Sequence, residues 1–456
     1  MLFSSITFLY LFIPITLILC LLAPQRFRNY VLLAASLLFY AYGEPRYVLL
    51  LLLSALVSWL HGLGFAKRPG SKWILASGLA WSLAFLLFFK YADLFIGSVN
   101  SLMGTELPLL KLHLPMGISF YTLQNISYTV DAYRGRCKIQ KSLLSYSTYL
   151  CLFPRLIAGP IVPYKDMESQ LVGRSVSLDD LSEGSVRFAV GLGKTVLLAG
   201  SLEPLAMLTV EDGSVLLSWL CILAYIFQIY FTLSGCSDIA VGLCRMLGFR
   251  LPENFDYPLL SSSVTQFWQR WHISLTQWFR DYVYLPMGGS ATTKAKWLRN
   301  MLILWLLIGL WHGAGWTLLL WGLYYATLLI LEKLWLHRYL KGRILPHVYM
   351  LLVTVLGFAL FRNDTVSQAL HTAAELLGLG GLPLIDPTAV YQLSSFGVLL
   401  VMALAGASPY PKKLAQKLGE SKVGTILQPC FVLILVLLVT ACLVDSTFDP
   451  FRYFRF

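Results

Sequence analysis

The chain has 456 residues, of which 57% are hydrophobic and 13% are charged, and its formal net charge is +12. A soluble globular chain carries roughly 25% charged residues, so this composition excludes an ordinary soluble domain and favours a membrane protein. The positive charge lies between apolar stretches, where it indicates cytoplasmic loops rather than nucleic-acid binding.

The apolar stretches are continuous rather than alternating, which favours helices over a β-barrel. Because a spanning helix needs about 20 apolar residues, the chain predicts an all-α polytopic membrane protein with about 11 transmembrane helices. We treat residues 1–456 as a single membrane domain. The eight cysteines show no CxxC pair and no metal-ligand spacing, so no metal site is predicted.

The first third of the chain alternates apolar stretches with basic loops. Residues 1–23 lack a basic leader and a cleavage site, so they predict a retained helix rather than a signal peptide. Further spans are expected within 31–65 and at 73–89. The polar-laced segment 107–136 predicts either a cavity lining or a helix that is hydrogen-bonded to its neighbours.

The middle of the chain contains two features that a straight spanning helix does not explain. Residues 153–163 read FPRLIAGPIVP and predict a broken or re-entrant element, because proline interrupts helices. Asp238 lies in a largely apolar stretch. It is either an ion-pair partner of Arg245, about two helical turns away, or an acid that lines a cavity.

Residues 254–323 form the candidate catalytic core. They contain two histidines that each follow a tryptophan, in the pairs Trp271-His272 and Trp311-His312. His312 lies within a long apolar stretch. An ionisable side chain is costly inside a membrane, so this placement makes His312 a functional candidate.

His272 falls in a segment, 261–285, whose apolar residues recur at helical spacing. The pattern predicts one amphipathic helix with a serine N-cap at position 262 or 263. Arg270 and Asp281 belong to its polar side. The many aromatic and basic residues indicate a helix at the membrane interface or one that lines a wet funnel.

His312 follows a span that begins at a basic loop. A rise of 1.5 Å per residue places it about 20 Å from Arg299, well inside the bilayer. Gly313 and Gly315 follow at once and leave room for a ligand to approach. The segment either crosses the membrane twice or dips in and returns at this glycine-rich turn.

The remaining chain predicts spans at 346–361 and 425–444, a short apolar stretch at 395–407 and an amphipathic helix at 365–377. The lysines between residues 412 and 422 indicate a cytoplasmic loop.

Several short motifs of the sequence resemble those of the membrane-bound O-acyltransferase superfamily, and within it those of the membrane subunit of bacterial alginate O-acetyltransferases. They follow one another in order over most of the chain. They are MGISFYTLQ (116–124), FPRLIAGPI (153–161), SGCSDIAVGL (234–243), GFRLPENF (248–255), FWQRWHISLTQWFRDYVYLPMGG (267–289) and GLWHGAGWTLLLWGLYYA (309–326).

The resemblance implies a multi-pass protein of the bacterial inner membrane, with helices around a central tunnel, that transfers an acyl group to a hydroxyl. His312 matches the family's catalytic histidine and His272 its second histidine. A buried imidazole is held neutral by desolvation, so it can take a proton from a hydroxyl or attack a thioester. Residues expected to support the site or line its cavity are Trp271, Trp311, Asp281, Asp238, Arg270 and Asn254.

The resemblance also implies partners. Acetyl-CoA is the expected cytoplasmic donor, with no tightly bound cofactor, and a periplasmic acetyltransferase is expected to pass the acetyl group to a polysaccharide. The C-terminal sequence FRYF resembles the ends of related acyl-export proteins, so Tyr453 is either an acyl relay or an aromatic membrane anchor. The alternatives to acetyl transfer as the function of the protein are D-alanyl transfer to teichoic acid and a role as a non-catalytic export subunit.

Overall fold

The computed structural model describes residues 3, 5–208, 213–419 and 421–445, and the secondary structure of this part is helical without strands. The all-α membrane architecture expected from the sequence is therefore confirmed. The α-helices are α1 (Ile13–Leu22), α2 (Arg28–Gly43), α3 (Val48–Lys67), α4 (Lys72–Met103), α5 (Ile118–Tyr133), α6 (Leu143–Cys151), α7 (Phe153–Leu156), α8 (Tyr164–Val172), α9 (Leu178–Gly193), α10 (Ser201–Ala206), α11 (Val215–Met246), α12 (Val264–Arg270), α13 (Ile273–Phe279), α14 (Lys294–His312), α15 (Trp316–Leu334), α16 (Leu345–Arg362), α17 (Val366–Leu376), α18 (Pro387–Gly406), α19 (Tyr410–Gly419) and α20 (Lys422–Asp445).

Short π-helical and 3-10 segments join or extend these helices. The π-helical segments are Phe8–Phe12, Lys194–Gly200 and Arg280–Tyr284, and the 3-10 segments are Pro45–Tyr47, Pro258–Leu260 and Leu336–Arg338.

Within the described residues, eight helices are long and apolar enough to cross a membrane, and the count of about 11 stays a prediction. They are Pro45–Lys67, Lys72–Met103, Leu178–Ala206, Val215–Met246, Trp316–Leu334, Leu345–Arg362, Pro387–Gly406 and Leu427–Asp445.

The chain folds into two compact units. One contains the described residues up to Val190, together with Cys236–Glu253 and the end of α20 from Leu443. The other contains the described residues of Gly191–Gly235 and Asn254–Cys442 and carries both candidate histidines. The assignment of the whole chain to a single domain stays a prediction.

In the first unit, the polar side chains of α5 are buried and bonded to neighbouring elements. The Tyr146 hydroxyl donates to Oδ1 of Asn125 at 2.9 Å, and the guanidinium of Arg155 donates to Oε1 of Gln124 at 3.3 Å. These contacts support the interpretation of this segment as a helix that is held to its neighbours by polar side chains.

The proline-rich sequence 153–163 is broken, as expected. The short helix α7 gives way to non-helical backbone before α8 begins. Arg155 on α7 is fully buried, and its guanidinium donates to the carbonyl oxygens of Tyr149 and Val162 and stacks 4.3 Å from the Tyr149 ring centroid. The non-helical carbonyl of Val162 thus has the partner that a regular helix would otherwise supply.

In the second unit, α14 and α15 form an antiparallel hairpin with His312 at its tip. A Cβ at Gly309 would collide with the backbone oxygen of Leu318, and one at Gly322 would collide with that of Trp305. The two glycines therefore let the helix backbones pack closely. The amphipathic helix expected at 365–377 is confirmed as α17.

Candidate active site

His272 lies at a break between two short helices, and the single helix expected over 261–285 is wrong. The serine N-cap is confirmed, because Ser263 Oγ accepts from the backbone N–H of Gln266 at 3.0 Å. Helix α12 nevertheless ends at Arg270, and His272 adopts a left-handed backbone with φ +45° and ψ 53°. A non-glycine residue in this region is uncommon and costs about 1–3 kcal/mol.

Asn254 holds the chain directly after this break. Its carbonyl oxygen accepts from the N–H of Ile273 at 2.9 Å. Its side-chain Oδ1 accepts from the N–H of Ser274 at 3.0 Å and from the Ser274 hydroxyl at 2.8 Å. Asn254 is 2% exposed, so it acts as a buried cap for the first turn of α13.

Glu332 anchors the other end of this element and was missed by the sequence analysis. Its buried carboxylate accepts from the N–H of Val264 at 2.6 Å and from the N–H and hydroxyl of Thr265 at 3.2 and 3.1 Å. The one signal in the sequence is an acid near the end of a largely apolar helix, α15. Its role depends on a contact 68 residues away, which no local pattern shows.

The rings of the two candidate histidines contact the same tryptophan ring. The Trp311 ring packs edge to face against the His272 ring, with centroids 6.1 Å apart, and against the His312 ring at 5.0 Å. The imidazole centroids therefore lie no further apart than the sum of these distances. His272 is 7% exposed, whereas His312 is half-buried. The structure thus brings both histidines and Trp311 into one site.

Aromatic rings surround this pair of histidines. The His312 ring contacts those of Trp321 and Phe361, with centroids 5.1 and 5.5 Å away. Trp271 is buried and contacts Phe255 at 5.4 Å and Phe358 at 5.8 Å. Such a wall keeps the local dielectric low, so charges that develop in the site interact strongly.

Burial lowers the pKa of His272 to about 4. Its Nδ1 is buried and has no hydrogen-bond partner in another described residue. At pH 7 this imidazole is neutral and a weak base, which suits orientation or hydrogen bonding more than proton removal.

We expect the stability of the protein to depend on pH through His272. Unfolded histidine titrates near 6.5 and folded His272 near 4, so the unfolded state binds the extra proton between these values. Stability should fall by about 3 kcal/mol as the pH drops from 6.5 to 4. Thermal unfolding in detergent at several pH values, with His272→Asn beside the wild type, measures this effect. An equally steep decline in both proteins would contradict the assignment to His272.

The glycines after His312 have different surroundings. A Cβ at Gly313 would collide with the side chain of Leu318, so its missing side chain accommodates that leucine. At Gly315 the nearest atom would be Thr317 Oγ1 at 3.7 Å, which leaves space beside the turn.

The remaining expected site residues are placed less centrally. Arg270 pairs loosely with Asp256 at 3.9 Å, and its carbonyl accepts from the Asp256 N–H at 3.0 Å. Asp281 lies half-buried on the π-helical segment Arg280–Tyr284. Tyr453, for which an acyl relay and a membrane anchor were the two alternatives, lies outside the described residues.

Asp238 belongs to the first unit and pairs with Arg187 at 2.9 Å rather than with Arg245. Arg245 instead pairs with Asp180 at 3.3 Å and with Glu183 at 2.5 Å. The pairing of Asp238 with Arg245, one of the two alternatives for this residue, is therefore wrong. Arg187 of α9 lies beside Asp238, and Asp180 and Glu183 of α9 lie beside Arg245.

Two histidines contact one tryptophan, His272 buried at a helical break and His312 half-buried at a hairpin tip. Within a chain that has several helices long enough to span a membrane, this arrangement is consistent with a membrane enzyme. Residues 140–355 match the model of the MBOAT, membrane-bound O-acyltransferase family. A protein of Pseudomonas putida named "Probable alginate O-acetylase AlgI" is 35% identical over the full length of both chains. This chain belongs to the membrane-bound O-acyltransferase family.

Two further relatives have other names. A "Peptidoglycan O-acetyltransferase" of Helicobacter pylori is 29% identical and covers 84% of this chain and 81% of its own. A "Teichoic acid D-alanyltransferase" of Bacillus subtilis is 28% identical and covers 47% of this chain and 58% of its own. The protein is thus a multi-pass O-acyltransferase of the bacterial inner membrane, and the expected enzyme class is confirmed.

Proposed function

We propose that this enzyme moves acetyl groups from a cytoplasmic donor across the inner membrane for the O-acetylation of an exported or cell-envelope polysaccharide of the alginate type. The observation that carries the proposal is the shared contact of His272 and His312 with Trp311, in a chain related over its full length to a probable alginate O-acetylase. Acetyl-CoA is the proposed donor.

The chemistry needs one imidazole that exchanges a proton. In the first route, His312 takes the proton of an acceptor hydroxyl, whose oxygen attacks the acetyl carbonyl carbon as the carbon–sulfur bond breaks. The proton then passes to the departing thiolate, which leaves as the free thiol. In the second route, the unprotonated nitrogen of His312 attacks the thioester carbonyl carbon as the carbon–sulfur bond breaks, and the thiolate takes the imidazole proton and leaves as the free thiol. The acceptor hydroxyl oxygen then attacks the acyl-imidazole, the bond from the acetyl carbon to nitrogen breaks, and the hydroxyl proton passes to the released imidazole. We assign His312 to the reacting atoms and His272 to orientation.

The competing function is D-alanyl transfer to teichoic acid. The relative that bears this name covers 47% of this chain, whereas the probable alginate O-acetylase of Pseudomonas putida covers all of it. We therefore favour acetyl transfer. Family membership also supports an enzyme over a non-catalytic export subunit.

Reconstituted protein tests this choice. Proteoliposomes that contain the full chain, with the periplasmic partner inside them, are incubated with radiolabelled acetyl-CoA or with a radiolabelled D-alanyl thioester outside. The measurement is the radiolabel that is transferred to the acceptor inside the vesicles. We expect transfer of acetyl and little transfer of D-alanine. Transfer of D-alanine alone would overturn the proposal, as would unchanged polysaccharide acetylation in cells that lack the gene.

For the chain terminus we expect Tyr453→Phe to retain acetyl transfer to the periplasmic partner. An aromatic ring at the membrane interface keeps its anchoring role without the hydroxyl. A relay would need that hydroxyl to form an acetyl ester. Counting partner-bound label in the proteoliposome assay distinguishes the two, and a loss of label with normal expression would establish the relay instead.

A further inference from the structure

Helix α19 differs from the helices around it because none of its residues is buried. When the ten residues are placed at 100° intervals, Tyr410, Leu414 and Leu418 fall on one face. Lys412 and Gln416 lie on the opposite face, Lys413 and Lys417 lie on the flank between that face and Tyr410, and the helix contains no acidic residue. Both its apolar face and its basic face are therefore left uncovered by the described part of the protein.

The position of α19 follows from its neighbours. It lies between α18 and α20, and both contain stretches that are long and apolar enough to cross a membrane. Three residues separate it from α18 and two from α20. The Ser421 N–H donates to the carbonyl of Leu418 at 3.1 Å, which turns the chain at the end of the helix. Such short connections keep α19 at the membrane surface where two spans end.

We propose that α19 is a binding site for anionic phospholipid headgroups of the cytoplasmic leaflet. The charge of the exposed Lys412, Lys413 and Lys417 complements phosphate headgroups, and each lysine near an anionic surface strengthens binding by about fivefold. The apolar face lies against the acyl chains, with the Tyr410 ring at the interface. An acidic protein would pair with the lysines but would leave the leucine face exposed to water. A membrane surface covers both, because its headgroups pair with the lysines and its acyl chains contact the leucines.

Hydrogen–deuterium exchange of the full-length protein in nanodiscs tests this site. One set of nanodiscs contains phosphatidylcholine, and the other contains phosphatidylcholine and phosphatidylglycerol in equal parts. We expect the amides of 410–419 to exchange about tenfold more slowly with the anionic lipid. High salt should remove that protection, because it screens exposed charges.

Two variants with the same loss of charge make the test specific. Lys412→Gln, Lys413→Gln and Lys417→Gln together should abolish the lipid-dependent protection of α19. Arg338→Gln, Lys341→Gln and Arg343→Gln, which also remove three exposed charges, should leave it intact. Equal exchange in the two lipids would overturn the proposal. Protection that survives the α19 substitutions, or that needs an added acidic carrier protein, would do the same.

Discussion

Replacing His312 by alanine is expected to lower acetyl transfer about a thousandfold, because positioned acid–base groups contribute about 10²–10⁴ in rate. The imidazole sits at the tip of a hairpin whose fold depends on Gly309 and Gly322, so truncating it leaves the backbone contacts intact. The measurement is transfer of labelled acetyl per mole of folded protein in proteoliposomes. His337→Ala removes an exposed histidine from the same unit and should retain full activity.

The second histidine should have a smaller and different effect. His272→Asn keeps a residue that tolerates the left-handed backbone while it removes the imidazole. We expect a loss of about 10- to 100-fold, because a weak base that orients a substrate contributes less than the group that moves the proton. If His272→Asn were as inactive as His312→Ala, the unequal roles assigned to the two residues would be wrong.

Composition and hydropathy were sufficient to predict the membrane class, because the bilayer requires internally bonded backbone in every span. The broken element at 153–163 could likewise be predicted, since proline limits helices locally. The buried environment of Arg155 within it could not. The guanidinium of Arg155 donates to the carbonyls of Tyr149 and Val162 and to the side chain of Gln124, and these groups come together only in the folded unit.

In the candidate site, too, local sequence patterns predicted some features, whereas contacts between distant residues could not be predicted. Helical spacing indicated that the tryptophans of 261–285 recur with a helical period, and the structure buries Trp268, Trp271 and Trp278. The same spacing also predicted one continuous helix, which is wrong. The break at His272 is stabilised by Asn254, which lies 20 residues before Ser274 in the sequence. Glu332 caps the same element from another helix. Neither Asn254 nor Glu332 belongs to a periodic sequence pattern. Local patterns could therefore predict the candidate histidines but not the backbone geometry that positions them.

These contacts make Asn254 a positioning residue. The left-handed backbone of His272 costs about 1–3 kcal/mol and persists only where its surroundings stabilise it. Removing Oδ1 would break its two hydrogen bonds to the N–H and the hydroxyl of Ser274, at a cost of about 1–3 kcal/mol. The two terms are of similar size, so losing the cap should let the break relax and move the imidazole away from Trp311.

We therefore expect Asn254→Ala to lower acetyl transfer by about 100-fold, since a misplacement of about 1 Å at a reacting centre costs that much. Asn254→Asp should retain more transfer than Asn254→Ala because a carboxylate oxygen still accepts both hydrogen bonds, and it should fall below the wild type because the carboxylate is buried. Labelled transfer and thermal unfolding are compared for both variants. Equal losses in the two would contradict the assignment of this role to Oδ1. A loss of stability in Asn254→Ala without a selective loss of transfer would reduce its role to folding.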